Sequence, residues 1–356
     1  MYDGLTEDDS FRPCFLLSGQ SRIENVLSIE IAGFQQGNPD QKEAIIGGSL
    51  MEVIFIFLNI VLPVFILIGI GAWLHKLFTL DLYTLAKLNI YFLSPGFVLI
   101  NLYESEFSLH ILWEVFCFFV LFIAGLYLIV KMIAKIGRYR KSVEGVFTNS
   151  VLLYNSGNYG IPVNDLAFQH NPLAATIQVI VMTFQNVLSY SFGIFSLKAV
   201  SEGRLRALLG LLRMPAIYAM SVGILLNVLK VDLPVFLFKP GEYIGDAMIG
   251  MALLTLGAQV AQLTFHPKLM IVYVSLAVRL ALGPGLAVLL IWCLGYEGLL
   301  AKALLVSSAM PSSVNSAIIA QEYKNEPELA AQTVLASTTL SMFTVTLTIY
   351  LSNLLY

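Results

Sequence analysis

From about residue 52 onward, apolar residues come in continuous runs that reach twenty or more before a polar interruption. A helix needs about 20 such residues to cross a hydrocarbon core of about 30 Å. The pattern predicts ten spans, at 52–74, 82–103, 108–132, 142–168, 173–198, 212–230, 241–263, 269–294, 298–321 and 329–353. A membrane barrel would instead alternate apolar and polar positions in segments of about ten residues. In lipid only helices or closed barrels satisfy every backbone group, so the expected fold is all-α and polytopic. The connections are too short to hold a soluble catalytic domain.

Composition agrees, with 58% hydrophobic and 12% charged residues, where soluble domains carry roughly a quarter charged. The connections after odd-numbered spans hold twelve bases: Lys76, Lys131, Lys135, Arg138, Arg140, Lys141, Lys198, Arg204, Arg206, Arg213, Lys268 and Lys324. Those after even-numbered spans hold only Lys230 and Lys239. The positive-inside rule then makes the odd connections cytoplasmic and puts both termini outside a cell membrane. Membrane lipid is the expected surroundings, and no nucleic-acid partner is expected.

Residues 1–50 carry eight acids against three bases and no sustained periodicity, which predicts a disordered acidic extension. A second reading starts translation at Met51, because "GGSLM" at 47–51 fits a purine-rich ribosome-binding site followed by a start codon. Cys14, Cys117 and Cys293 have no paired spacing, and His75, His110, His170 and His266 sit at separate span ends, so no metal site is expected. The chain has no GxxxxGK[ST] loop, so any pumping must use a gradient.

Two spans contain an internal correspondence. Asn158 and Pro162 lie four apart in the fourth, Pro311 and Asn315 four apart in the ninth, each displaced by 153 positions. Residues 51–200 and 201–356 thus read as two five-helix units, and an odd number of crossings inverts the second. Proline removes a donor and disfavours helical angles at the residue before it, so breaks are expected at Ile161–Pro162 and Met310–Pro311. Such breaks survive in a membrane only inside protein or beside a polar cavity. Half-helices starting at Pro162 and Pro311 would bring positive dipole ends and unpaired N–H groups together, which suits an anion.

The side chains there suit the same ligand. Asn155, Asn158 and Asn315 offer amide donors, Ser156, Ser312, Ser313 and Ser316 hydroxyls, and Gly157 and Gly160 close approach. Gln185 is a candidate fourth donor, although it and Asn186 would serve equally as glue between helices. Arg279, near the middle of the eighth span, must pair with an acid, a carbonyl or water, either attracting the anion or bracing a broken helix. Asp246 is a candidate partner or proton site, Glu114 a weaker one, and Asp165 a second proton candidate. Lys87, Lys302 and Glu52 read as snorkelling side chains, and Trp73, Trp113 and Trp292 as interfacial belt residues.

The stretches "GAWLHKLFTLD" (71–81), "YNSGNYGIPV" (154–163), "GDAMIGMALLTLG" (245–257), "VRLALGPG" (278–285) and "MPSSVNSAIIAQEYKNEPELAAQTV" (310–334) resemble the auxin efflux carrier family, including its bacterial malate and malonate permease-like members. The resemblance covers nearly everything from Met51 and implies a ten-helix fold like that of bile acid sodium symporters. It implies a substrate at the crossing of two broken helices, with Asn155 and Pro311 at family positions. It also implies a homodimer, with spans 1, 2, 6 and 7 as scaffold. Plant members have a second proline where this chain has Asn315, so the pocket is more polar, which favours a malate-like acid over an aromatic auxin.

These readings lead to a secondary carrier of small organic anions working by alternating access, without a cofactor other than a coupling ion, proton or sodium. A sensor that binds the same ligand without moving it, and an exporter of auxin-like aromatic acids, are the alternatives. An intramembrane enzyme is disfavoured, since no nucleophile, base and orienting group fall together.

Overall fold

The computed structural model describes residues 39–104, 108–189, 192, 215–263 and 270–356. Regular structure among the described residues is helical, apart from one bridged pair of extended residues. The expectations placed on Cys14, His266, Lys198, Arg204, Arg206, Arg213 and Lys268 fall outside this set.

The chain is helical from Pro39, so residues 39–50 form a helix where the acidic composition predicted irregular structure. Proline is a favourable first residue, since its missing N–H would have no partner there anyway. Helix α1 (Pro39–Ile56) continues through a π-turn, Phe57–Val61, into α2 (Leu62–Phe78). Asp81 starts the next segment, accepting from the Tyr83 N–H at 3.1 Å, and α3 (Leu82–Leu88) leads through a second π-turn to α4 (Ser94–Glu104). Then come α5 (Leu109–Ile136), α6 (Lys141–Leu152), α7 (Gly160–Ala167) and α8 (Pro172–Leu188). The second half holds α9 (Pro215–Val228), α10 (Val235–Val260), α11 (Met270–Ala277), a π-turn at Val278–Leu282 and α12 (Gly283–Leu294). The chain ends with α13 (Gly298–Ser308), α14 (Val314–Glu322) and α15 (Pro327–Leu355).

Among the described residues six stretches are long and apolar enough to cross a membrane: Gly48–Phe78, Leu82–Glu104, His110–Ile136, Val235–Val260, Met270–Leu294 and Pro327–Leu355. The expected spans at 142–168 and 298–321 are each split in two, as α6 with α7 and α13 with α14. Those at 173–198 and 212–230 include α8 and α9, shorter apolar helices bordering residues outside the described set.

The helices pack in two groups. In one, α10 lies along α2 and α4, and α4 along α9. Glycine makes the first contact feasible: a Cβ on Gly257 would stand 1.9 Å from the Ile68 carbonyl oxygen, and one on Gly71 2.2 Å from that of Leu254. Small residues let membrane helices approach backbone to backbone, where dispersion replaces the hydrophobic drive that lipid removes. Asn89 adds a buried amide-to-hydroxyl bond to Thr255 at 2.9 Å. In the other group α5 packs on α6, α8 and α12, while α13 is enclosed by α8, α12 and α15. The split helices lie in this second group.

Candidate functional site

Helix α6 stops at Leu152 and α7 begins at Gly160, leaving residues 153–159 unwound; α13 stops at Ser308 and α14 begins at Val314, leaving 309–313. The two unwound pieces meet as an antiparallel bridge between Tyr154 and Ser312. Asn155 donates its N–H to the Pro311 carbonyl at 2.8 Å, and Ser313 donates to the Leu153 carbonyl at 2.8 Å. Each break thus satisfies backbone groups freed by the other, which removes much of the several-kcal/mol cost of irregular backbone at membrane depth.

Side chains complete the brace. The Ser312 hydroxyl donates to the Ser150 carbonyl at 2.6 Å, while the Ser312 N–H donates to the Ser337 hydroxyl at 3.1 Å. One turn further along α15, the Ser341 hydroxyl donates to the Tyr159 oxygen at 3.1 Å. From α8, the Gln185 amide donates to the Leu152 carbonyl at 2.8 Å, and the Gln178 amide to the Ser156 carbonyl at 2.7 Å. The Gln185 donor expected for a ligand is therefore engaged in holding the end of α6. Gln178, Ser337 and Ser341 were not anticipated. Their signal was present in spacing: Gln178 and Gln185 lie two turns apart on α8, and Ser337 and Ser341 one turn apart on α15, each pair on one face.

The breaks differ from expectation in one respect. Pro311 lies inside its unwound stretch, but Ile161 and Pro162 are already helical, and the first break precedes them. A proline at the third position of a helix costs little, because the first N–H groups have no intrahelical acceptor. The second half-helices accordingly start at Gly160 and Val314, not at the prolines. Gly160 and Ile161 use their N–H groups on the carbonyls of Asn155 and Gly157 at 2.9 and 3.1 Å. Ser313 caps α14, its hydroxyl accepting from the Asn315 N–H at 3.2 Å.

What remains unspent is a set of donors. Among the described residues, the backbone N–H groups of Gly157, Asn158, Tyr159 and Val314 meet no acceptor, and neither do the side-chain amides of Asn155, Asn158 and Asn315. Asn155 and Ser156 are buried, whereas Gly157, Asn158 and Asn315 are half-buried. The buried oxygens Ser150 Oγ, Gln178 Oε1 and Gln185 Oε1 also lack partners, an uncommon concentration for a protein interior.

Arg279 lies in the π-turn between α11 and α12 and has 0% exposure. Its Nη1 donates to the Val151 carbonyl at 3.1 Å and its Nη2 to the Ser308 carbonyl. The guanidinium carbon lies 4.6 Å from the Tyr154 ring centroid and 5.6 Å from that of Phe122. Arg279 therefore grips the C-terminal ends of α6 and α13 at once. Of the acid, carbonyl or water expected for it, Arg279 meets carbonyls; Asp246, the acid named from sequence, is exposed on α10 in the other helix group. Asp165 lies 2.9 Å from His170, and Glu114 3.1 Å from His110.

Fold and site define a multi-pass, all-helical membrane protein whose polar centre is a pair of interrupted helices bridged to each other. The family model described as membrane transport protein matches residues 56–349, both breaks included, and the chain belongs to that family, the auxin efflux carriers. A comparison with curated proteins returns no match.

Proposed function

We propose that the protein is a secondary carrier of small organic anions, malate-like carboxylates, with the substrate at the bridged breaks. The observation that carries this reading is the unspent donor set, neutral N–H groups and amides with no acceptor among the described residues. A carboxylate accepts from such groups, which stand at and just before the starts of α7 and α14. Asn155, Ser156, Gly157, Asn158, Ser312, Ser313 and Asn315 form the pocket, with Pro311 shaping it, Gln185 bracing it and Pro162 in the first turn of α7 beyond it. Neutral donors hold an anion loosely, which suits a carrier that must release it.

In this reading the chain crosses the cell membrane ten times as two inverted five-helix units, 51–200 and 201–356, with both termini outside. The group containing α2, α4, α9 and α10 is the scaffold and dimer contact, and the group containing the breaks rocks against it. Coupling to a proton or sodium gradient would be carried through Asp165, Asp246 or the unwound carbonyls.

Uptake of labelled malate into proteoliposomes tests the proposal, comparing the unaltered protein with Asn155→Ala plus Asn315→Ala under imposed proton and sodium gradients. Flux in the first, and at least a roughly tenfold loss in the folded second, is the expected outcome; each lost charge-assisted bond contributes about 1.5–3 kcal/mol. Binding without flux would replace the carrier by a sensor. Flux of aromatic acids alone would replace the aliphatic substrate.

A further inference from the structure

Arg279 is the largest side chain fully buried in the described structure. Its hydrogen bonds go to two neutral carbonyls, its Nε has no partner, and no carboxylate pairs with it among the described residues. The acids considered for it are exposed or beside histidines, as given above. A guanidinium is always protonated, so a full positive charge sits within the span that contains α11 and α12, beside the crossed breaks.

The half-helices alone do not favour an anion. Four ends meet here: the carbonyl ends of α6 and α13, and the N–H ends of α7 and α14. Helix ends contribute partial charges of similar size and opposite sign, so these ends taken together favour neither sign of ligand. Arg279 breaks the balance. It covers carbonyls at the two C-terminal ends, those of Val151 and Ser308, while the N–H groups of Gly157, Asn158, Tyr159 and Val314 keep no acceptor among the described residues. Its guanidinium lies over the ring of Tyr154, the residue before Asn155 in the unwound stretch.

We propose that Arg279 sets the charge selectivity of the site: the crossed breaks carry one unbalanced positive charge and take ligands of charge −1, monocarboxylates or dicarboxylates that keep one proton. The inference rests on the reading of the breaks as the substrate site. Arg279 acts as a positioning and charge-setting residue, with its own donors occupied by carbonyls.

The test uses the full chain, wild type, Arg279→Lys and Arg279→Gln, with ligand-induced thermal stabilisation as a binding readout and proteoliposome flux as a separate one. The probes are acetate and lactate against their neutral amides, acetamide and lactamide. Expected in the wild type is a preference for the acid over its amide of roughly tenfold or more, the size of one nearby charge in a partly shielded interior. Arg279→Lys should keep most of that preference, and Arg279→Gln should bring the two ligands within a few-fold of each other.

A wild type that binds amide as well as acid overturns the inference, whatever the variants do. So does an Arg279→Gln protein that keeps the wild-type preference, or an Arg279→Lys protein that folds yet loses it. Acid-selective stabilisation that depends on the charge, without flux, leaves the inference standing and removes the carrier reading. Flux with a preference indifferent to Arg279 does the reverse. No response to any of these acids in either readout overturns the inference, and the carrier reading then stands or falls on malate flux.

Discussion

At Gly160 a single hydrogen in place of a side chain lets the Gln178 amide reach the Ser156 carbonyl. A Cβ there would stand 2.4 Å from the Gln178 nitrogen and 3.3 Å from the Asn155 carbonyl oxygen. Gly160→Ala should therefore lower the melting temperature measurably, by the equivalent of about 1–3 kcal/mol for overpacking. Gly157→Ala is the control, since its Cβ would press only on the flexible Met182 sulfur, at 3.3 Å, and should cost less. Ser337 makes a second residue-scale case. Its hydroxyl is the acceptor for the buried Ser312 N–H, and Ser337→Ala leaves that donor unpaired, at a cost of about 1–3 kcal/mol. Ser337→Thr, which keeps a hydroxyl, should recover part of the loss in the same melting experiment.

Among the elements, the contact between α2 and α10 depends most directly on its small residues. A Cβ on Gly257 or Gly71 would stand 1.9 or 2.2 Å from opposing backbone oxygens, so no side-chain adjustment can make room for a methyl group. Gly257→Leu should separate the two helices and lose more stability than any substitution named above, more than the ~3 kcal/mol upper range of ordinary overpacking. The two prolines of the broken spans should behave differently from each other. Pro162 lies in the first turn of α7, where Pro162→Ala restores an N–H that needs no acceptor, so melting and flux should change little. Pro311 lies inside the unwound bridge, and its carbonyl accepts from Asn155. Pro311→Ala should let α13 extend and depress flux more than stability.

For the whole molecule the question is whether the two helix groups move against each other. Phe57, in the π-turn after α1, stacks on Phe343 of α15 with centroids 6.4 Å apart, a contact between the groups. Asn89 and Thr255, joined at 2.9 Å, lie within the scaffold group. With the native cysteines replaced, bifunctional thiol crosslinking of a Phe57→Cys, Phe343→Cys pair should stop malate flux, and a reductant-cleavable linker should restore it. The Asn89→Cys, Thr255→Cys pair should leave flux intact. Equal inhibition by both pairs would argue against rocking between these groups.

The sequence by itself determined that the chain is helical and membrane-embedded, because burial in lipid constrains every position of a span and leaves continuous apolar runs. It also marked both spans that break, since proline, glycine and asparagine are costly in hydrocarbon and their recurrence at a fixed displacement is visible without coordinates. Tertiary structure decided the rest. Whether Pro162 ends a helix or sits harmlessly in its first turn depends on where the previous residues unwind, and that is fixed by the bridge to Ser312, 158 positions from Tyr154. Gln185 and Gln178 have the same side chain and lie on one face, yet which carbonyl each meets follows from packing. Arg279 could have found an acid, water or carbonyls; only the folded chain brings the ends of two distant helices to its two nitrogens. Local chemistry writes itself into composition, whereas the partner of a buried polar group is set by contacts between segments far apart in the chain.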